Sequence, residues 1–214
     1  MSATSNFVEA RPWQRPWWKP AKNNSLTFVY MVVVHTLAII GVTLQLLGIV
    51  GVIDYALPSI EVVILTVILT FLGGLGTTVC YHRALSHRAL KLNKVIEHIL
   101  IFFTILNGNG SPTTWVANHR EHHAKADTEE DISVYQWPGS DIKKWAPDID
   151  KGEYHFWQKA LPLIILFSLS WGIIFGWQGF FWLGAIRLLH SLHFQMVVNS
   201  VLHLSPGSVM GEDS

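Results

Sequence analysis

The sequence predicts an all-α fold: a multi-pass membrane helical bundle of about four transmembrane helices, arranged as two hairpins, with a cytoplasmic histidine-rich cap. Three observations predict it. Half of the 214 residues are hydrophobic and only 14% are charged. Several apolar runs are long enough to cross a bilayer, and many of the eleven histidines cluster in the polar segments that follow them. This composition, with a mean hydropathy of +0.32, is typical of membrane proteins.

Composition also excludes some classes of protein. The formal net charge is zero, so no overall basic field favours a nucleic-acid partner. Cys80 is the only cysteine, which excludes an intramolecular disulfide framework and a cysteine-bound metal site.

The first hairpin is predicted over residues 26–81. Leu26 to Ile53 contains no Lys, Arg, Asp or Glu and is long enough to cross about 30 Å of hydrocarbon as a helix. A turn follows, and Leu57 to Tyr81 forms the second apolar run. Small residues near its end, which let helices pack closely, are Gly73, Gly74 and Gly76.

Residues 82–160 are predicted to form a cytoplasmic segment, because they hold ten of the fifteen Lys and Arg residues. Val95 to Leu106 interrupts it with an apolar run too short to span, which favours an interfacial or buried helix. The second hairpin is predicted over residues 161–203, turning around Gly176 to Gly179. Within it, Arg187 requires a partner or an interface.

Charge placement predicts the orientation. Four Lys or Arg residues precede the first helix, none lies between the first two helices, and ten follow the second within residues 82–160, so the N-terminus and the central segment are expected to be cytoplasmic. Residues 1–25 form the N-terminal segment, with an aromatic anchor at Trp13, Trp17 and Trp18. Residues 204–214 begin a C-terminal cytoplasmic region.

Three histidine-bearing elements are predicted to meet at the cytoplasmic face. His82 and His87 stand where the second helix leaves the membrane, although on an ideal α-helix they are about 140° apart and do not share one ion. Asn199 and His203 lie four residues apart at the end of the last apolar run.

The second element is the most specific, because positions three and four beyond His119 return to its helical face. His122 and His123 diverge by about 100°, a geometry that indicates two metal ions. Imidazole suits several transition metals, so the residues alone leave the metal's identity open. The remaining histidines, which fit helix packing or an interface better than metal binding, are His35, His98, His155, His190 and His193.

These residues resemble the membrane fatty acid desaturases, particularly their delta-9 acyl-CoA and acyl-lipid branch. Tyr81-His82-Arg83-Ala84-Leu85-Ser86-His87-Arg88 is similar to the first histidine box. Trp115-Val116-Ala117-Asn118-His119-Arg120-Glu121-His122-His123 is similar to the second. Asn199-Ser200-Val201-Leu202-His203 resembles the segment that supplies one further histidine and a water-binding Asn.

The resemblance implies iron ligands, two iron ions and an oxygen-dependent reaction. The implied ligands are His82, His87, His119, His122, His123 and His203, with Asn199 reaching iron through water. It further implies a cis double bond of the delta-9 kind in a saturated acyl chain carried on CoA or a lipid, with electrons from a cytochrome b-type protein or a ferredoxin and its reductase. The residues expected to line an acyl tunnel are Gly73, Gly76, Thr77 and Trp115.

One departure from the family bears on activity. The family completes its site with a third box, His-x-x-His-His, after the Asn-Ser-x-x-His segment, and the sequence reaches Ser214 before any such motif. On this interpretation three expected ligands are absent, and the sequence is either a fragment of a desaturase or a protein without complete activity of its own.

Three alternatives stay open. A membrane fatty acid hydroxylase uses a similar histidine-rich site, although its first box has one spacer residue fewer. A membrane cytochrome holds haem between histidines that face each other within the bundle. A non-catalytic membrane protein with partial boxes binds metal weakly or not at all.

Overall fold

A computed structural model describes residues 25–125 and 139–202, and for residues 198–202 the backbone alone. The regular elements of this part are all helical. They are α1 (Ser25–Ile49), α2 (Ile60–Leu75), the π-helix π1 (Gly76–Ser86), α3 (Lys94–Leu106), α4 (Pro112–Lys125), α5 (Ile142–Trp145), α6 (Gly152–Leu169), α7 (Gly172–Gln178), the π-helix π2 (Gly179–Ile186) and α8 (Arg187–Leu202).

Three stretches of helix are long and apolar enough to cross a membrane: Ser25–Ile49, Ile60–Ser86 and Gly172–Val197. The predicted fourth span is not found among the described helices. The apolar run from Leu161 belongs to α6, whose first half carries Glu153, His155 and Lys159, and these polar residues lower its hydropathy.

The turn between α6 and the last span begins earlier than predicted. Helix α6 ends at Leu169, α7 begins at Gly172, and the helical path is broken again at Gly176, which has φ of 59° and ψ of −150°. Glycine favours this left-handed region because it has no Cβ. Gly179 then packs against the backbone of Trp171, just after α6, and Gly184 packs against that of Ser168, so α6 and π2 lie close together.

Helix α3 folds back antiparallel along the second span. The Cys80 thiol donates to the carbonyl of Glu97 at 3.7 Å, and the Asn107 amide donates to the carbonyl of Thr70 at 3.1 Å. Between these contacts Gly76 packs on Leu100. The predicted close packing at Gly73 and Gly76 is confirmed, since a Cβ at either position would meet α3, whereas Gly74 has nothing within 4 Å.

A buried turn after α3 reverses the chain into α4. Arg187, only 1% exposed, donates to the Leu106 carbonyl at 3.0 Å and to the Asn107 side chain. It also donates to the Ser168 hydroxyl at 3.1 Å. The prediction that Arg187 needs partners is therefore confirmed, and they include the backbone at the end of α3.

The core that supports α4 lies between the second span, α3 and α6. Its fully buried side chains include Tyr81, Ile101, Ile105, Val116 and Leu183. Helix α4 therefore runs along π1 from the turn after α3, and its histidines lie beside the end of the second span.

Candidate metal centre

The first histidine pair is brought together by the π-helix. The backbone N–H of His87 donates to the carbonyl of His82 at 3.0 Å, the five-residue bond that defines π geometry and often occurs at functional sites. The two ring centroids lie 4.6 Å apart. The separation of about 140° expected for an α-helix is thus corrected: the wider turn places both imidazoles on one side.

The second pair comes from consecutive turns of α4. His119 and His123 lie four residues apart, so they share a helical face, and their ring centroids are 4.5 Å apart. Because α4 packs against π1, His119 also lies 4.7 Å from His82, measured between ring centroids. The Nε2 atoms of His87 and His119 approach to 3.2 Å.

Four histidines consequently form one group, the histidine cluster: His82, His87, His119 and His123. One ring nitrogen from each lies within 4.8 Å of the others. Imidazole nitrogens bind iron, zinc and copper, so the donor chemistry suits a transition metal.

The other predicted ligands are His122, Asn199 and His203. The His122 ring lies 6.3 Å from His119 and 5.5 Å from His123 between centroids, and it is not one of the four. Asn199 lies in α8, but its side chain is among those not described, and His203 is outside the described residues. Their predicted roles stay predictions.

The electrostatics of the cluster favour a neutral imidazole at His119. Burial, together with the neighbouring imidazoles of His123, His82, His87 and His122, lowers the pKa of His119 to about 2. A neutral ring keeps a nitrogen lone pair, as metal binding requires. The indole of Trp115 stacks on His119 with 4.7 Å between centroids and 21° between planes, which covers one face of the ring.

Arg120 joins the two pairs, and this function was not predicted. Its guanidinium donates to the carbonyls of Leu85 at 2.7 Å and Ser86 at 3.1 Å, the last turn of π1. It also donates to the carbonyl of Trp145 at 3.1 Å. Basic side chains often satisfy the free carbonyls at a helix C-terminus. Arg120 thereby fixes π1 against α4.

Asp148 is a further partner of Arg120 in the contact between π1 and α4. It accepts from Arg120 at 2.6 Å and from Arg88, a residue with φ of 55°, at 3.1 Å. Partial burial alone raises the pKa of Asp148, but the hydrogen bonds from Arg120 and Arg88 outweigh it and lower the pKa to about 2. No sequence pattern pointed to Asp148; Arg120 lies within the second box, where its position among the histidines was the available signal.

Of the four residues predicted to line a tunnel, three lie on the second span near α3 and the turn that follows it, and one lies beside the histidine cluster. Gly73 and Gly76 are at the contact with α3. Thr77 donates to the Gly73 carbonyl at 2.9 Å and accepts from the Asn109 amide at 2.6 Å. Trp115 borders the histidine cluster. Whether any of them contacts an acyl chain stays a prediction.

Several of the remaining histidines make packing contacts. His35 and His193 approach each other across α1 and α8, with 3.0 Å between Nε2 atoms. His98 accepts from the Trp157 indole at 2.7 Å, and His155 pairs with Asp150 at 2.5 Å. In the described ranges, no second group of three or more potential metal ligands is found.

Comparison with known proteins identifies the kind of protein. The sn-1 stearoyl-lipid 9-desaturase of Synechocystis sp. is 33% identical over 153 residues, covering 61% of this chain and 46% of the relative. The sn-1 stearoyl-lipid 9-desaturase of Anabaena variabilis is 30% identical over 154 residues, covering 61% of this chain and 54% of the relative. The chain is similar to membrane fatty acid desaturases.

A probable acyl-CoA desaturase of Schizosaccharomyces pombe matches more of this chain, at 28% identity over 222 residues, or 92% of the chain and 44% of the relative. The chain spans about half the length of these curated relatives. No family model matches it. The relatives and the apolar helices together make it an integral membrane protein with a histidine group able to bind metal.

Proposed function

We propose that the protein is a fatty acid desaturase that introduces a cis double bond into a saturated acyl chain. The observation that carries the proposal is the convergence of His82, His87, His119 and His123 within 4.8 Å, from two boxes that resemble those of desaturases. Relatives whose names include stearoyl-lipid 9-desaturase and palmitoyl-lipid 9-desaturase support it.

The proposed cofactor is iron, with two ions. The histidine cluster holds one position, and His122, which diverges from it, serves a second position together with His203 and, through water, Asn199. Bound iron supplies the activation of dioxygen for removal of hydrogen from two neighbouring methylene groups. The chain's own residues keep His119 neutral and hold the imidazoles of π1 and α4 beside one another.

The protein contributes to the reaction by positioning the histidines and the acyl chain. Arg120 sets the register of π1 against α4, and Trp115 shields His119 on one face. An apolar acyl chain held beside this group presents one carbon pair to the metals, and such positioning supplies much of an enzyme's rate enhancement. Of the predicted tunnel residues, Thr77 and Trp115 are those we retain.

The proposed substrate is an acyl-lipid or acyl-CoA, desaturated at the delta-9 position, and the proposed electron donor is a cytochrome b-type protein or a ferredoxin with its reductase. We propose a multi-pass topology with the histidine boxes on the cytoplasmic side. The excess of Lys and Arg in residues 82–160, against none between the first two helices, supports this orientation.

Fatty acid analysis of cells expressing the full-length gene tests the function. We expect a new cis-monounsaturated acyl chain, absent when His119→Ala is expressed at the same level and retained with His190→Ala, an exposed histidine of α8. A hydroxylated acyl product would favour a hydroxylase instead. An unchanged fatty acid profile in cells that contain the correctly inserted, iron-loaded protein would contradict the proposal.

A further inference from the structure

An open pocket of about 470 Å³ lies where the end of π1 meets α4 and α5, and we call it the basic pocket. Its lining includes three cations, Arg88, Arg120 and Lys144, as well as Ser86 and the proposed metal ligand His87. Three positive side chains around one pocket repel a metal cation and attract an anion. The basic pocket is therefore a candidate site for an anionic ligand.

The positive charge of the basic pocket is only partly neutralised. In the described part of the chain, Asp148 is the carboxylate that contacts these cations, at 2.6 Å from Arg120 and 3.1 Å from Arg88. Three Lys and Arg charges against one Asp charge leave +2 among the four side chains. A phosphate monoester carries a charge of about −1.5 to −2 at neutral pH, which balances this excess.

Two of the three cations keep donors for a ligand. The guanidinium of Arg120 is fully bonded, to Asp148 and to three backbone carbonyls. Lys144 has no hydrogen-bond acceptor among the described residues, and its Nζ lies 4.7 Å from the ring centroid of Trp145. Arg88 contacts Asp148 and is 64% exposed. Lys144 and Arg88 can therefore both donate to phosphate oxygens in charge-assisted hydrogen bonds.

The Ser86 hydroxyl indicates a ligand independently of the charges. Ser86 is only 8% exposed, and its Oγ has no hydrogen-bond partner among the residues that the structure describes. A buried hydroxyl without a partner is costly, and most buried polar groups bind a protein group, a ligand or an ordered water. Because Ser86 lines the basic pocket, a phosphate oxygen in the pocket supplies the missing acceptor.

The carbonyls at the end of π1 do not oppose an anion in the pocket. The C-terminal end of a helix carries partial negative charge on its free carbonyls. Here the carbonyls of Leu85 and Ser86 accept from Arg120, and that of Arg83 accepts from the backbone N–H of Ala89. These bonds compensate the charge of the helix end.

We propose that the basic pocket binds a phosphate monoester group, whose oxygens accept from Lys144, Arg88 and the Ser86 hydroxyl. The pocket lies beyond His82, where the second span is predicted to leave the membrane. A soluble phosphate compound and the headgroup of phosphatidic acid both carry this group and both reach such a position. The proposal does not rest on desaturase activity.

Calorimetric titration of the full-length, metal-loaded protein with inorganic phosphate, in uncharged detergent, tests the site. We expect one phosphate per chain, bound about tenfold more weakly by Lys144→Gln, the loss expected for a hydrogen bond between charged groups. Lys143→Gln is the matched control, because it removes the same charge from the neighbouring exposed residue of α5, outside the pocket. It should bind phosphate like the wild type.

The hydroxyl contact is tested by thermal unfolding of Ser86→Ala. Without phosphate, this variant should be at least as stable as the wild type, because it removes a buried hydroxyl that has no partner. Saturating phosphate should raise the unfolding temperature of the wild type and raise that of Ser86→Ala by less. An equal rise in both proteins would contradict the contact with Ser86.

Competition in nanodiscs identifies the source of the phosphate. Phosphatidic acid should displace inorganic phosphate if its headgroup occupies the pocket, whereas phosphatidylglycerol, a diester, serves as the charge control. Binding of inorganic phosphate that neither lipid changes would assign the pocket to a soluble compound. Equal affinity in wild type and Lys144→Gln, or equal weakening by Lys143→Gln, would overturn the site and leave general charge attraction only. Unchanged iron content in each variant separates this result from failure of the metal centre.

Discussion

Arg120 has more polar partners than other side chains around the histidine cluster in the described part of the chain. It contacts two carbonyls of π1, the carbonyl of Trp145 and the carboxylate of Asp148. The imidazoles of box 1 and box 2 belong to different elements, and this guanidinium, carried by α4, bonds the end of π1. Its geometry matters as well as its charge, because Arg presents a planar fork of donors that Lys lacks.

Substitution of Arg120 should therefore weaken metal binding without removing a ligand. We expect Arg120→Met to lower metal affinity by about 10–100-fold, as losses of groups that orient metal ligands do. Arg83→Met removes the same charge from an exposed position of π1 and should leave affinity nearly unchanged. Titration of purified protein with iron measures both; equal affinity in wild type and Arg120→Met would contradict the assignment.

The Asp148 contact predicts a dependence of stability on pH. The folded-state pKa of Asp148, about 2, lies below the ordinary value of 3.8. Its contribution to stability is therefore fully present above about pH 4 and is lost as pH falls towards 2.

Thermal unfolding of wild type and Asp148→Asn between pH 6 and pH 2.5 measures this contribution. The wild type should unfold at the higher temperature near pH 6, and the difference should shrink below pH 4. A difference that stays constant down to pH 2.5 would show that ionisation of Asp148 does not stabilise the fold.

At the scale of elements, residue spacing predicted one histidine pair and not the other. The spacing of His119 and His123 follows the α-helical repeat, so their shared face was predictable from the sequence. His82 and His87 required a π-helix, which spans Gly76–Ser86 and lies in close contact with α3. The α-helical period of 3.6 residues per turn does not predict that His82 and His87 lie on one side.

The contact between the second span and α3 depends on two glycines. A Cβ at Gly76 meets the Leu100 carbonyl and the Thr104 hydroxyl, and a Cβ at Gly73 meets Asn107, whereas Gly74 faces open space. We expect Gly76→Ala to lower the free energy of unfolding by about 1–3 kcal/mol, the usual cost of overpacking. Gly74→Ala should be neutral or should stabilise by about 0.5–1 kcal/mol, because Ala is the better helix former.

Denaturant titration in mixed micelles compares the two glycine variants. The opposite order, with Gly74→Ala the more damaging, would mean that the second span packs through its other face.

At the scale of the whole molecule, the sequence predicted a helical membrane protein with histidines at one end, and the first two spans follow the predicted apolar runs closely. The folding back of α3 was not predictable from hydropathy, because Val95 to Leu106 gives no sign of which helix it joins. The fourth predicted span is not found among the described helices for a related reason: α6 combines a polar first half with an apolar second half, which a search for apolar runs divides at Leu161.

Arg187 connects these parts, since its partners lie in α3, in the buried turn and in α6. We expect Arg187→Met to destabilise the protein by about 3 kcal/mol, because it leaves buried acceptors without donors. Arg187→Lys should recover part of this loss, since an ammonium reaches fewer acceptors than the guanidinium fork. Equal stability of wild type and Arg187→Met, measured by unfolding in mixed micelles, would contradict this function.

The central claim is that histidines from π1 and α4 bind one metal centre, and X-ray absorption spectroscopy of iron in the purified full-length protein tests it most directly. We predict strong scattering from imidazole rings around iron in the wild type, and loss of both the bound iron and that scattering in His119→Ala. Iron without imidazole neighbours, or an identical spectrum and iron content in His119→Ala, would contradict the claim.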